Sequence, residues 1–439
     1  MNNIFPRVLI VGTVPYNKKS TSRAFESYFH GWDKDCLAQV FSNTRTPVKG
    51  HCKYLYQITD QRLVKRRINK SVQVGKQFNY DELPDEWIDD DLEVNSSTFS
   101  WLYRFGSRST HWTHLARKLV WSKNLWCSPD FNDWIDSFKP DCVFLSFSND
   151  YFILEIALYV AERFNIPIVS SIGDDYYFDS ERSVSPFYWI YKSTYRQLVD
   201  RVFAHGGSAI YIGNKIRDKY NSEFGLNGKT VYLTSEATRH DFRPIDLECP
   251  KIRYFGNIRL GRNESLCAVA NVLSEINPHY HIEVYSNETD PKFCSPLKEN
   301  PHVIFNGSIP YSSVLEKTVT SDILLVVEGF KQRDVDITRY SLSTKVADAL
   351  TSGSAVVGFG SQECGAIEYM QDCNCCCVGT SEAELKSNLE RLFCDIELQR
   401  KNFELAKAVV EQNHTLANST AVFRSVIQNA IKGYDDGIA

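Results

Sequence analysis

The chain alternates short runs of apolar residues with longer stretches of helical periodicity. Val8-Leu9-Ile10-Val11 ends in Gly12, and Cys142-Val143-Phe144-Leu145-Ser146 follows Lys139-Pro140-Asp141. Runs that are apolar at successive positions suit strands buried on both faces of a sheet. Phe152 to Phe164 has helical spacing, and Pro167-Ile168-Val169-Ser170 opens another strand. The punctuation is that of βαβ units on a parallel sheet. Val202-Phe203-Ala204, just before His205-Gly206-Gly207-Ser208, reads as one more strand end.

The alternation restarts after Asp241–Pro250, a stretch with two prolines and no periodicity that suits a linker. Ile252–Gly256 reads as a strand, Glu264 to Ile276 as a helix, and Ile282–Tyr285 and Val303–Phe305 as strands. Ile323–Val327, a helix near Lys345–Leu350 and Ala355–Val357 complete the series. The expected architecture is α/β, with two Rossmann-like parallel-sheet domains facing across a cleft. The first domain spans 1–245 and the second 246–415, and a last helix over 416–439 packs back on the first. Ligands of such sheets bind outside the carboxyl ends of the strands.

Composition sets bounds on function. Of 439 residues, 43% are hydrophobic and 23% charged, enough to build a core and to exclude whole-chain disorder. A net charge of −5 argues against a nucleic-acid partner. No apolar run approaches the roughly 20 residues that span a bilayer. The amino terminus reads as a buried strand, not a signal peptide. Thirteen cysteines without regular spacing suggest reduced thiols, hence a cytoplasmic protein.

The charge distribution singles out residues 45–135, which interrupt the alternation. From Arg45 to Lys76 the charges are almost all positive, and from Asp81 to Glu93 all are negative. Val94 to Pro129 carries five basic residues, no acidic ones, and Trp101, Trp112, Trp121 and Trp126. These blocks read as an insertion or an elaborated surface of the first domain. Within His111–Trp126 the tryptophans and leucines recur at helical spacing beside Arg117, Lys118 and Lys123. That suits a helix lying in an anionic membrane interface, and equally a core helix with a wet basic face.

The stretch from Tyr340 to Gly353 carries the most chemistry. Ser343 is a candidate N-cap and Gly353 a candidate C-cap. A helix amino terminus with uncapped N–H groups favours an anion such as a diphosphate. Thr344, Lys345 and Asp348 fall on one helical face, placing a cation and a hydroxyl one turn from a carboxylate that can accept ribose hydroxyls. A capped surface helix with an ordinary ion pair would show the same residues. Elsewhere, Cys373-Asn374-Cys375-Cys376-Cys377 lacks zinc-site spacing and reads as a buried strand with small thiols. Asp89-Asp90-Asp91 reads as a solvated acidic loop.

Several segments in order resemble the GT-B glycosyltransferases, above all the retaining family 4. Ser343–Gly353 is similar to that family's Lys-x-x-Glu-Tyr-Leu-Ala-Ser-Gly segment. Val231–Pro244 resembles its linker, and Tyr254–Asn263 its Gly-Arg-Leu…Lys-Gly loop. Pro167–Asp174 resembles its Pro-Val-Val…His-Asp strand end, and Ala408–Phe423 its helical tail. The resemblance implies a nucleotide-sugar donor, UDP-linked, on the second domain, and a glycan or lipid-linked acceptor on the first. It also implies retention of anomeric configuration, no metal and no cofactor. Peripheral contact at the inner face of a membrane would fit such an acceptor.

The implied donor residues are Gly256, Asn257, Arg259, Glu328, Ser341, Ser343, Thr344 and Asp348. Arg262 and Lys345 would stabilise the leaving diphosphate, and Asp174 would act near the anomeric centre. Gly12, Thr13, Arg23, Asn149 and His205 would meet the acceptor. The chain departs from the pattern where Tyr340 stands for a glutamate, Asn257 for an arginine and Gly173 for a histidine. An inverting transferase, a sugar-nucleotide epimerase and a non-catalytic glycan- or nucleotide-binding scaffold are the alternatives these departures leave open.

Overall fold

A computed structural model describes residues 5–15, 22–86, 111–178 and 183–437. The chain forms two compact units, one of residues 1–211, 217–231 and 420–439, the other of 212–216 and 232–419. Asp89–Asp91 and Trp101 lie outside the described residues.

The first unit is built on an eight-stranded sheet. Its strands are β1 (Val8–Val11), β2 (Leu37–Phe41), β3 (Tyr54–Ile58), β4 (Gly75–Phe78), β5 (Cys142–Ser146), β6 (Ile168–Ile172), β7 (Gly207–Tyr211) and β8 (Lys229–Thr230). Their order is β4-β3-β2-β1-β5-β6-β7-β8, parallel throughout except that β4 runs antiparallel to β3. The order reverses between β1 and β5, which makes that edge the switch point.

The sheet corrects the reading of 45–135 as an insertion. Tyr54–Ile58 is an inner strand and Gly75–Phe78 the edge strand. Two buried glutamines disguise this part of the sheet. Gln39 Nε2 donates to the carbonyl of Thr13 at 3.0 Å, and Gln57 Nε2 to that of Asn43 at 2.7 Å. The hydrogen bond made by each amide nitrogen reduces the cost of burying it.

Two of the four tryptophans are shown to be core residues. Trp121 and Trp126 are fully buried, and Trp121 Nε1 donates to Asp60 Oδ1 at 2.5 Å. Leu119 is exposed on the helix His111–Val120. At the other end of the chain, Phe423 is buried from the helix Leu416–Asp435 against Tyr28, Phe29, Trp32 and Phe144.

Val202–Ala204 does not end a strand. It is the last turn of a helix, Pro186–His205, and β7 begins two residues later. An apolar triplet carries no periodicity of its own, so it fits either element.

The second unit holds β9 (Ile252–Phe255), β10 (Ile282–Tyr285), β11 (Val303–Gly307), β12 (Ile323–Val327), β13 (Ala355–Phe359) and β14 (Cys377–Gly379). All pair in parallel in the order β11-β10-β9-β12-β13-β14. This is a doubly wound order whose switch point lies between β9 and β12. Helices cover both faces, which is why β12 is apolar at every position. Ile323, Leu325 and Val327 pack with Leu266 and Leu273 on one side, while Leu324 and Val326 pack with Val346 and Leu350 on the other. Full burial stabilises by about 1.5–3 kcal/mol per such side chain.

Candidate functional site

The switch point of the second sheet gathers most of the expected donor residues. β9 ends at Phe255, and the chain turns through Gly256, Asn257, Ile258 and Arg259 into the helix Arg262–Ile276. β12 ends at Val327 and is followed by Glu328. The helix Thr344–Ser352 brings Lys345 to the same strand ends.

Gly256 is required for two reasons. Its φ is +129°, and a Cβ there would overlap Lys345 Cε and stand 3.0 Å from Nζ. The Lys345 ammonium thus lies across the backbone at the end of β9. Nζ donates to the phenol oxygen of Tyr254 at 3.0 Å, and Tyr254 Oη donates to the Asn257 carbonyl at 2.5 Å. The same ring lies 4.9 Å below the ammonium, a cation–π distance. Among the described residues Lys345 has no carboxylate within ion-pair distance.

The other two cations are committed. Arg262 donates Nε–H to Glu328 Oε2 at 3.0 Å, and its Nη2 forms an ion pair with the same oxygen at 2.7 Å. The Glu328 side chain is 3% exposed and that of Arg262 12%. Burial pushes the Glu328 carboxyl above its ordinary value, while Arg262 and Lys345 pull against it. Burial would lower the Arg262 guanidinium, and the Glu328 charge and hydrogen bond together with Tyr254 and Cys364 raise it above its ordinary value. Arg259, expected as a phosphate cation, grips Glu288 just past β10 with Nε and Nη2. That grip, with backbone N–H groups of Asp290 and Thr289, lowers Glu288 to about 2.

The helix Thr344–Ser352 begins after Ser343, whose side chain makes no capping bond, and ends at Gly353 with φ +91°. Asp348, one turn past Lys345, accepts from Ser235 Oγ at 2.6 Å. Thr344 is exposed in the first turn. Ser341 lies in the loop before the helix, beside a concavity of about 330 Å³ that Tyr340, Lys215 and Glu368 also line. The helix Arg262–Ile276 begins after Gly261 with no side-chain cap, and its first N–H groups turn back onto backbone carbonyls, Arg262 onto Arg259 at 3.4 Å and Asn263 onto Ile258 at 3.0 Å.

The expected acceptor residues divide between two edges of the first sheet. Gly12 and Thr13 follow β1, Asn149 follows β5, and Asp174 is exposed after β6, all at the carboxyl edge. Asp175, beside it, is structural: Oδ1 accepts from the N–H groups of Tyr177 and Phe178 and from Tyr220 Oη. Arg23 lies in the first turn of the helix Ser22–Phe29. His205 is at the opposite, amino edge, with Nε2 3.0 Å from the carbonyl of Ile166. Gly207, next to it, admits the backbone of the neighbouring strand, since a Cβ there would overlap the Ile168 carbonyl. That glycine serves strand packing and not a ligand.

Sequence reasoning missed Tyr254, Glu288 and Ser235, which hold Lys345, Arg259 and Asp348 respectively. Tyr254 sits two residues before Gly256, and Glu288 just after a strand, so position at a strand end was the available signal. The thiol run Cys373–Cys377 ends one helix and starts β14, with Cys375 and Cys376 Sγ 3.9 Å apart. No helix among the described residues is long and apolar enough to cross a membrane.

Neither a family model nor a curated protein sequence matches the chain. Solved structures do. A glycosyltransferase from Rickettsia africae ESF-5 is 12% identical, with a TM-score of 0.53, over 97% of this chain and 100% of that one. Anabaena Alr3699/HepE, solved with UDP and glucose, is 9% identical, with a TM-score of 0.56, over 96% of this chain and 99% of that one. At these identities the likeness concerns the fold. Two parallel-dominated sheets with alternating helices and strands match the GT-B architecture of these glycosyltransferases.

Proposed function

We propose that the chain is a glycosyltransferase that binds a UDP-sugar at the carboxyl edge of β9 and β12 and passes the sugar to a hydroxyl of a glycan or lipid-linked acceptor. One observation carries this reading: the Lys345 ammonium, without a carboxylate partner among the described residues, lies across Gly256 at a sheet switch point. An ammonium there meets the β-phosphate of a nucleoside diphosphate, where negative charge develops as the sugar leaves. The positive end of the Arg262–Ile276 helix dipole lies at the same strand end and favours an anion there. The UDP held by the Anabaena protein of like fold supports the choice of nucleotide.

On this reading the residues take the following roles. Lys345 contacts the leaving diphosphate. Arg262, pinned by Glu328, supplies a fixed charge behind it. Asn257 and Gly256 let the backbone approach the phosphates, and Asp348 takes ribose hydroxyls in place of Ser235. Ser341, Ser343 and Thr344 border the sugar. Gly12, Thr13, Arg23, Asn149 and Asp174 receive the acceptor. An acceptor carried on a membrane lipid would meet Leu119 and Lys123, which are exposed, and not the buried tryptophans.

Calorimetry with UDP, GDP, ADP and CMP tests the reading. Selective UDP binding that is lost in Lys345→Ala supports it. Binding of another nucleotide changes the donor class, and no binding at all favours a non-catalytic glycan-binding scaffold.

A further inference from the structure

The anion site at the end of β9 and β12 contains an anion of its own. Glu328 directly follows β12, and both Arg262 and Lys345 act on its carboxyl. Its backbone is held on three sides. The Glu328 N–H donates to the Phe359 carbonyl at 2.9 Å, and the Glu328 carbonyl accepts from Ser265 Oγ at 2.7 Å. Gly360 packs so close that a Cβ there would stand 2.9 Å from the Glu328 Cβ. The side chain is 3% exposed, so it has little room to swing toward water. Its two oxygens differ. Oε2 takes the Arg262 guanidinium, whereas among the described residues Oε1 accepts no hydrogen bond.

The charges of this cluster do not balance a diphosphate. Arg262 and Lys345 against Glu328 leave one net positive charge. A single phosphate monoester already carries about 1.5–2 negative charges near neutral pH, and a diphosphate carries more. A second anion brought close to a carboxylate disfavours its charged form, and burial strengthens that repulsion. Burial already pushes the Glu328 carboxyl above its ordinary value. A carboxylate that cannot move away relieves the repulsion by taking a proton, and Oε1 is the oxygen left open for it.

Resting on the donor reading above, we propose that Glu328 takes up one proton on Oε1 when the diphosphate binds beside Lys345, so that the site accepts nucleotide and proton together. The proton comes from solvent and returns to it when the diphosphate leaves. Arg262 keeps its hydrogen bond to Oε2 throughout. Donor binding therefore weakens as pH rises. The charged and titratable groups on the elements packed around Glu328 are Arg262, Lys345, Tyr254 on β9, Asp334 on the helix Gln332–Thr338, and Cys364 just before the helix Gly365–Cys373.

Calorimetry of UDP binding to the full chain, in buffers of differing ionisation enthalpy, counts the protons taken up. Between about pH 7 and 8.5 the terminal phosphate of UDP has largely lost its last proton, so its own titration contributes little. The expected result is uptake of one proton per UDP, with affinity falling by up to about tenfold per pH unit. Glu328→Gln, neutral at every pH, should bind UDP without that uptake and more tightly than the wild type at the alkaline end. Wild-type binding with no proton uptake, or uptake that persists undiminished in Glu328→Gln, overturns the proposal and leaves the donor reading intact. Absence of UDP binding by the wild type overturns the donor reading and the proposal with it. Infrared difference spectra of the wild type give a second readout that needs no variant. UDP should raise a protonated-carboxyl band that shifts with ¹³C labelling of glutamate, and its absence overturns the proposal.

Discussion

Arg262 donates its Nε–H to Glu328 Oε2 at 3.0 Å, its Nη2 stands 2.7 Å from the same oxygen, and the pair is largely buried beside the end of β12. A buried pair is expensive to break from one side, because the partner stays behind as an unpaired charge, at about 3–5 kcal/mol. Arg262→Ala should therefore destabilise the second unit by that amount, whereas the double change Arg262→Met, Glu328→Leu should cost markedly less. Urea unfolding of the three proteins checks this. Equal losses in the single and double variants would mean that the pair contributes only packing.

Lys345 and Gly256 form one device, so changing either should disturb the same binding event. Lys345→Ala removes a charge-assisted contact worth roughly 1.5–3 kcal/mol, a 10- to 100-fold loss of UDP affinity. Gly256→Ala should weaken binding comparably, because its φ of +129° is unfavourable for alanine and the new methyl displaces the lysine. Calorimetry on both variants would show it. Undiminished affinity in Gly256→Ala would place the phosphates away from the β9 turn.

His414 should make the second unit acid-sensitive. It is 4% exposed, with Nδ1 2.9 Å from the Leu233 carbonyl and Nε2 2.8 Å from Tyr369 Oη. A neutral ring satisfies both, donating to the carbonyl and accepting from the phenol. Burial holds its pKa below the ordinary 6.5, with the Leu233 bond and Asp348 opposing. The unfolded chain then binds a proton that the folded chain excludes, so stability falls as pH drops below 6.5 toward the folded value. The urea midpoint should decline between pH 7.5 and 5.5, and His414→Gln should flatten that slope. The residual slope of that unit belongs in part to His240, also lowered by burial.

Phe423 should anchor the last helix to the first unit. It is fully buried among four aromatic rings, with the nearest centroid, that of Phe29, 4.9 Å away. Phe423→Ala should cost about 3–5 kcal/mol, since the rings cannot all close on the cavity. A fall in the urea midpoint of the first unit, followed by its tryptophan fluorescence, would confirm it. A loss below 1 kcal/mol would mean the helix packs without that ring.

Some parts of the molecule were legible from local pattern. β1, β5 and β12 are almost wholly apolar runs flanked by turn residues, and β9 and β10 break theirs with a single charge, Arg253 and Glu283. Gly256, Lys345 and Glu328 were findable because each sits at a strand end or a helix start. β3 and β4 were hidden by the charge blocks around them, and the Pro186–His205 helix by an apolar triplet that suits either element.

Sequence by itself determined the alternating order of strands and helices and the place of the candidate donor residues, because apolar periodicity and glycine at a turn act locally. Tertiary structure decided which charges are spent and which remain. Arg259 and Arg262 look as available as Lys345 along the chain, yet Glu288 and Glu328 reach them from 29 and 66 residues away. Ion pairs depend on distance in space, and burial fixes their strength, so no local pattern could have ranked these residues.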